Sequence, residues 1–137
     1  MSDVKVSTEM RNGRLTVSTG SAWEPKLGYS RAVKAGNAIY VTGTVGANAD
    51  GTYTPDMGAQ ARRSLQIIEA ALQATGAELR HVVRTRMYVT DVSRWQEVAA
   101  VHGDLFGEIR PATTIVEVAR LIDDEALIEI EVDAVLD

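Results

Sequence analysis

The sequence predicts an α+β domain, with one mostly antiparallel sheet carrying two helices on a single face. Three observations carry that prediction. Hydrophobic residues alternate with a period of two in blocks at both ends of the chain, two blocks of helical period lie between them, and 137 residues are enough for one core but not two. The expected order is β-β-β-α-β-α-β-β in one domain spanning residues 1–137, with about residues 1–13 expected to be flexible.

At the start, "RLTVST" alternates, "GYSRAV" and "AIYVTG" are short runs with β-branched or aromatic residues, and Gly36 and Asn37 supply a hairpin turn between the latter two. After the turn-rich "GANADGTYTPD", Met57, Ala61, Leu65, Ile68, Ala71 and Leu72 recur at three- and four-residue steps. This stripe defines a first helix that stops at Thr75 and Gly76. "HVVRTRMYVTDV" returns to period two, with Val83, Thr85, Met87 and Val89 on one side and Arg84, Arg86 and Tyr88 on the other.

Asp91 or Ser93 can cap a second helix with the stripe Trp95, Val98, Ala99, His102, Leu105 and Phe106, and Pro111 follows where the chain must leave it. The last strands are "TTIVEVARL" and "ALIEIEVDAVL", joined by the turn "IDDE". In the final strand Ile128, Ile130, Val132 and Ala134 point one way and Glu129, Glu131 and Asp133 the other. Helices take the apolar side. The acidic row and the Arg84/Arg86 row then share the uncovered face, where they can pair within the sheet or across subunits, and an oligomer built on that face is expected.

Composition narrows the function. The absence of cysteine removes disulfides, thiolate catalysis and cysteine metal sites, and His81 and His102 alone are too few for a histidine metal cluster, so no metal is expected. No apolar run approaches the roughly 20 residues of a membrane span and no signal-peptide pattern opens the chain, so a cytoplasmic protein without a membrane partner is expected. A net charge of -5 gives no electrostatic reason to expect nucleic acid.

Four stretches together, "LGYSRAVKAGNAIYVTG", "LQATGA", "VVRTRMYVTDVSRW" and "RPATTIVEVARL…IEIEVDAV", resemble the RidA (YjgF) family of reactive-intermediate imine deaminases from about Trp23 to the C-terminus. The resemblance implies a chorismate-mutase-like fold, a homotrimer with a central barrel of sheets and the helices outside, and ligand clefts between neighbouring subunits. It implies hydrolysis of amino-acid-derived enamines and imines to a 2-keto acid and ammonia, with no cofactor.

Carried over by position, the resemblance makes Glu129 and Tyr29 the catalytic candidates, with Glu129 positioning the attacking water, and places Gly43 in the cleft. Thr113 of "PAT" stands where the family's "PAR" motif has an arginine that grips the substrate carboxylate, Ile115 where a cysteine is frequent, and Ala99 where asparagine is. A guanidinium offers a planar fork and threonine one neutral hydroxyl, a loss of about 2 to 5 kcal/mol. Arg31, two residues from Tyr29 on an expected strand and so on the same side, is the candidate replacement. Arg31, Gly43, Thr113 and Ile115 are thus the candidate substrate-binding residues. Alternatively, Arg31 pairs with Glu129, Glu131 or Asp133, Glu129 belongs to an ion-pair row, and Tyr29 is a packed interface residue.

Thr113, Ile115 and Glu117 are expected to face away from the helices, with Val116 and Val118 in the core. His102 is expected to pack in the core or an interface, His81 to be solvated, and Trp23 and Glu24 to form a rim of the cleft or simply to pack. Three functions remain open: an enamine or imine hydrolase acting on a small carboxylate- or carbonyl-bearing metabolite, a non-catalytic small-molecule-binding or regulatory trimer, and an endoribonuclease.

Overall fold

The computed structural model describes residues 3–137, so residues 1 and 2 of the expected flexible start lie outside it. Seven strands form one sheet in the order β1-β2-β3-β4-β7-β5-β6. They are β1 (Ser7–Arg11), β2 (Arg14–Ser18), β3 (Ala32–Ala35), β4 (Ala38–Val45), β5 (Val82–Val89), β6 (Ala112–Glu117) and β7 (Ile128–Val135). Among the described residues every pairing is antiparallel except β5 with β6. The expected α+β class holds.

Within the opening segment expected to be flexible, Ser7–Arg11 form an edge strand on β2 through a turn at Asn12 and Gly13, both at positive φ. All five of its residues are exposed, so no hydrophobic alternation announced it. A third helix, α1 (Trp23–Leu27), joins the two expected ones. Five residues are too few to show a helical period, and Pro25 is tolerated because it sits in the first turn.

The expected first helix is α2 (Met57–Ala74), and all six residues of its stripe are buried. Asp56 caps it by accepting from the Ala59 amide, and Thr75 and Gly76 close it, Gly76 with φ 88°. Two polar side chains on the same helix are also buried and tie it to its neighbours. Gln60 donates to the carbonyls of Thr54 and Glu125 and accepts from the Leu127 amide, and Ser64 donates to the Thr44 carbonyl.

The second expected helix is α3 (Trp95–Phe106), rotated slightly from its expected stripe. Val98, Val101 and Phe106 are buried, whereas Trp95 and Ala99 face out. Asp91 does cap this region, accepting from the Ser93 amide at the head of a single 3-10 turn.

β7 is the spine of the sheet, paired with β4 on one side and β5 on the other. Ile128, Ile130, Val132 and Ala134 are at most 1% exposed beneath the helices, and Glu129, Glu131 and Asp133 are half-buried on the opposite face. On that face Arg86 and Arg84 reach Asp133 at 3.4 and 3.9 Å, and Tyr88 donates to Glu131. The expected ion-pair row is therefore closed within the sheet. Val83, expected on the core side, is 47% exposed, because the β5–β7 register shifts between Val82 and Arg84 and Val82 takes the core position.

The side assigned to β6 is reversed. Its parallel register sets Thr113 beside Thr85 and Ile115 beside Met87, and both partners are buried on the helix side. The odd residues therefore face α3, while Val116, expected in the core, is 41% exposed on the open face. His81, expected to be solvated, is buried, its Nδ1 accepting from the Glu78 amide at the start of β5.

Because Ile130 is fully buried at the centre of the spine, Ile130→Ala is expected to lower unfolding stability by about 2 to 5 kcal/mol, readable by chemical denaturation.

Candidate functional site

A bulge in β4 creates the site. The register with β7 shifts between Val41 and Thr44, which leaves Gly43 on the bulge beneath Glu129. A methyl group on Gly43 would lie 2.5 Å from Oε2 of Glu129 and 2.9 Å from its Cδ. Only glycine lets the carboxyl rest on the backbone there. Ser64 of α2 holds the bulge from below through the Thr44 carbonyl, at 2.8 Å.

Above the bulge is a cleft of about 890 Å³, with Thr19, Ser21, Trp23, Tyr29, Arg31, Gly43 and Glu129 among its lining residues. Leu27 and Ile67 contribute apolar wall, and the connection between β6 and β7 closes one side with Arg120, Leu121, Ile122 and Asp123. Four of the six candidate residues, Glu129, Tyr29, Arg31 and Gly43, thus meet in one cleft.

Thr113 and Ile115 do not line that cleft. They sit on β6, the edge strand at the far end of the sheet from β1. The Thr113 hydroxyl is 2.8 Å from that of Thr85, which lies 2.9 Å from Nε2 of His102 on α3. His102 also stacks at 4.7 Å on Phe106, and desolvation lowers its pKa. The packed role expected for this histidine is the one observed.

Tyr29 and Arg31 do not lie on a strand, since β3 begins only at Ala32. They meet nevertheless, because the guanidinium turns back to the Tyr29 hydroxyl at 3.3 Å, with its centre 5.5 Å from the ring. The rest of the guanidinium is committed inward. Nε donates to Thr19 Oγ1 at 3.2 Å, and Nη1 donates to the Gly43 carbonyl at 3.0 Å and Thr44 Oγ1 at 3.1 Å.

Its ion-pair partner is none of the three acids expected from the sequence. It is Glu24 of α1, 3.8 Å from Nη2, and both residues are buried. With every guanidinium nitrogen engaged and only 5% of the residue exposed, Arg31 has no free fork with which to grip a ligand carboxylate.

Glu24, expected either on a rim of the cleft or simply packed, is buried against Arg31. Its carboxylate accepts from the Ser18 hydroxyl at 2.6 Å and from the amides of Thr19 and Ser21 at 3.2 and 3.4 Å. The available signal was an isolated acid in "AWEP" seven residues before an arginine, which alone does not distinguish a buried pair from a solvated one.

Glu129 is half-buried, and desolvation raises its pKa, with repulsion from Glu131 adding to the rise and Arg31 partly opposing it. A carboxyl of this kind, in a cleft beside a tyrosine hydroxyl, can hold or pass a proton nearer neutral pH than an ordinary glutamate does. Among the described residues no cluster of histidine and carboxylate side chains suited to a metal ion is present.

The family described as Endoribonuclease L-PSP matches residues 19–136. The chain is 33% identical over 124 residues to 2-iminobutanoate/2-iminopropanoate deaminase of Escherichia coli K12, covering 88% of this chain and 94% of that protein. A crystal structure of a member of the YjgF/YER057c/UK114 family from Mycobacterium tuberculosis is 50% identical, covers 90% of this chain and 99% of its own, and superposes with a TM-score of 0.84. A structure of Escherichia coli TdcF with bound serine is 27% identical, covers 80% of this chain and 88% of that one, and gives a TM-score of 0.74.

The raised pKa of Glu129 has a stability consequence. The folded state keeps this proton at pH values where the unfolded chain has lost it, so wild-type stability falls as pH rises from about 4.3 through the folded pKa. Glu129→Gln removes the cost. Denaturation at several pH values is expected to show the variant more stable than wild type at pH 7, with the advantage vanishing below the ordinary glutamate pKa.

Proposed function

The chain belongs to the Endoribonuclease L-PSP family, the RidA (YjgF) group, and from that premise we propose that it hydrolyses the C=N bond of a small enamine- or imine-derived metabolite, releasing a carbonyl compound and ammonia. The observation that carries this reading is Glu129. Its carboxyl, raised in pKa, rests on Gly43 at the floor of a cleft that also presents the Tyr29 hydroxyl.

In this reading Glu129 takes a proton from water as the oxygen adds to the C=N carbon. That carbon becomes tetrahedral, and Glu129 returns the proton to nitrogen to give a carbinolamine. Glu129 then takes the hydroxyl proton and passes it to nitrogen as the C–O bond becomes C=O and the C–N bond breaks, releasing ammonia, while Tyr29 and Thr19 orient the substrate. Glu129 thus works as a base first and an acid second, which suits a pKa drawn toward neutrality.

The substrate's acid group, where it has one, meets hydroxyls and backbone amides instead of a free guanidinium, since Arg31 is enclosed and Thr113 occupies the motif position of the gripping arginine. That same observation favours a second reading, a binding module that retains the cleft without turnover. The acidic balance of the chain, with net charge -5, lends no support to RNA as substrate.

The open face of the sheet supports assembly as a homotrimer with clefts between subunits. Tyr40 and Val116 are 52% and 41% exposed there, and the β6 edge carrying Thr113 and Ile115 is free to face a neighbour's cleft. Sedimentation equilibrium is expected to give three times the 14.8 kDa chain mass, and a monomer would remove this part of the proposal.

For the reaction, 2-iminopropanoate generated in place by an amino-acid oxidase is the probe. Ammonia release above the spontaneous rate is expected, falling by about a hundredfold or more in Glu129→Gln. Saturable binding of pyruvate with no acceleration by the wild type would establish the binding module instead.

A further inference from the structure

The most heavily bonded charge in the cleft belongs to neither proposed catalytic residue. Arg31 and Glu24 are 5% and 7% exposed, and burying two opposite charges costs desolvation that their attraction repays only with good geometry and further hydrogen bonds. Both have those bonds, and the two sets point in different directions.

Glu24 gathers the scaffold. It accepts from Ser18 at the end of β2 and from the Thr19 and Ser21 amides in the turn that leads into its own helix. Arg31 gathers the cleft wall. It donates to the Tyr29 hydroxyl, Thr19 Oγ1, Thr44 Oγ1 and the carbonyl of Gly43, the residue on which the Glu129 carboxyl rests. The guanidinium is thus the link between a fixed acid on α1 and the groups that define the site.

We propose that Glu24 is a positioning residue of the cleft: as the buried counter-ion of Arg31, it holds the guanidinium in the orientation that fixes the Tyr29 hydroxyl and the Gly43 backbone against Glu129. The catalytic part of this inference rests on the hydrolase reading. The geometric part does not.

A purely structural pair would affect stability alone, whereas a positioning pair also sets the environment of Glu129. The groups facing that carboxyl are Glu131 on its own strand, Tyr88 opposite it on β5, Arg31 and Tyr29, with Arg120 and Asp123 lining the same cleft from the connecting loop. Arg31 is the cation that opposes the raised pKa of Glu129, and Glu24 sits against it at 3.8 Å. Neutralising Glu24 leaves Arg31 uncompensated. Its pull on Glu129 then strengthens, and Glu129 should titrate lower.

The test uses the full chain as wild type, Glu24→Gln and Glu24→Asp, with carboxyl-carbon NMR titration of Glu129 and turnover of 2-iminopropanoate well below each variant's melting temperature. Expected are a lower Glu129 titration midpoint in Glu24→Gln, a loss of about 10- to 100-fold in kcat/KM carried mainly by kcat, and partial rescue of both by Glu24→Asp. An unchanged Glu129 midpoint together with wild-type kinetics in folded Glu24→Gln would overturn the inference.

Should Glu24→Gln not fold, the folded Glu24→Asp variant decides. Its shorter carboxylate must shift the midpoint, and a wild-type midpoint would overturn the inference. A wild type with no turnover refutes the hydrolase reading alone, because the NMR titration still reports on Glu24.

Discussion

The structure depends on the placement of β7 between β4 and β5. Because side chains alternate along a strand, one stretch of eight residues supplies the fully buried centre of the core with Ile128, Ile130 and Val132 and delivers Glu129, Glu131 and Asp133 to the face the helices leave open. A slip of one residue would exchange the two sets, placing three carboxylates beneath α2. The apolar core thus fixes the position of Glu129 to the residue. Site and core are specified by the same register.

The bulge in β4 converts that register into a cleft. A regular ladder would carry β4 straight past Glu129, but the shift between Val41 and Thr44 sets Gly43 beneath the carboxyl and turns the Gly43 carbonyl to Arg31. Ser64 fixes the bulge from the helix side and Arg31 from the cleft side, both through backbone carbonyls or the Thr44 hydroxyl. A Cβ at Gly43 would meet the Glu129 carboxylate, so glycine is what lets that carboxyl settle on the bulge.

Much of this was legible in the sequence because periodicity is a local signal. The stripes of α2 and β7 are complete within their own segments, and the composition of 137 residues left room for one sheet and its helices. What the pattern could not carry was the identity of neighbours. On β6 the pair Val116 and Val118 outweighs Ile115 between Thr113 and Glu117 and points to the wrong inward side, while the parallel partner β5 brings Thr113 onto buried Thr85. His81 looked like a solvated strand start but serves the Glu78 amide. β1 is exposed along its whole length and so has no apolar face to reveal it.

The enclosure of Arg31 shows the same limit at the site and gives it chemical meaning. From sequence, a cation two residues from Tyr29 is either a group available to a ligand carboxylate or a partner of Glu129, Glu131 or Asp133. In the fold it is enclosed: Glu24 neutralises it, and its donors end on Thr19, Tyr29, Thr44 and the Gly43 carbonyl. A charge so satisfied contributes field and rigidity to the cleft more than direct ligand contact. The cleft itself presents hydroxyls at Tyr29, Thr19 and Ser21 and apolar wall at Trp23, Leu27 and Ile122. On the protein's side of the cleft wall, the cation tempers the rise in the Glu129 pKa that burial and Glu131 produce.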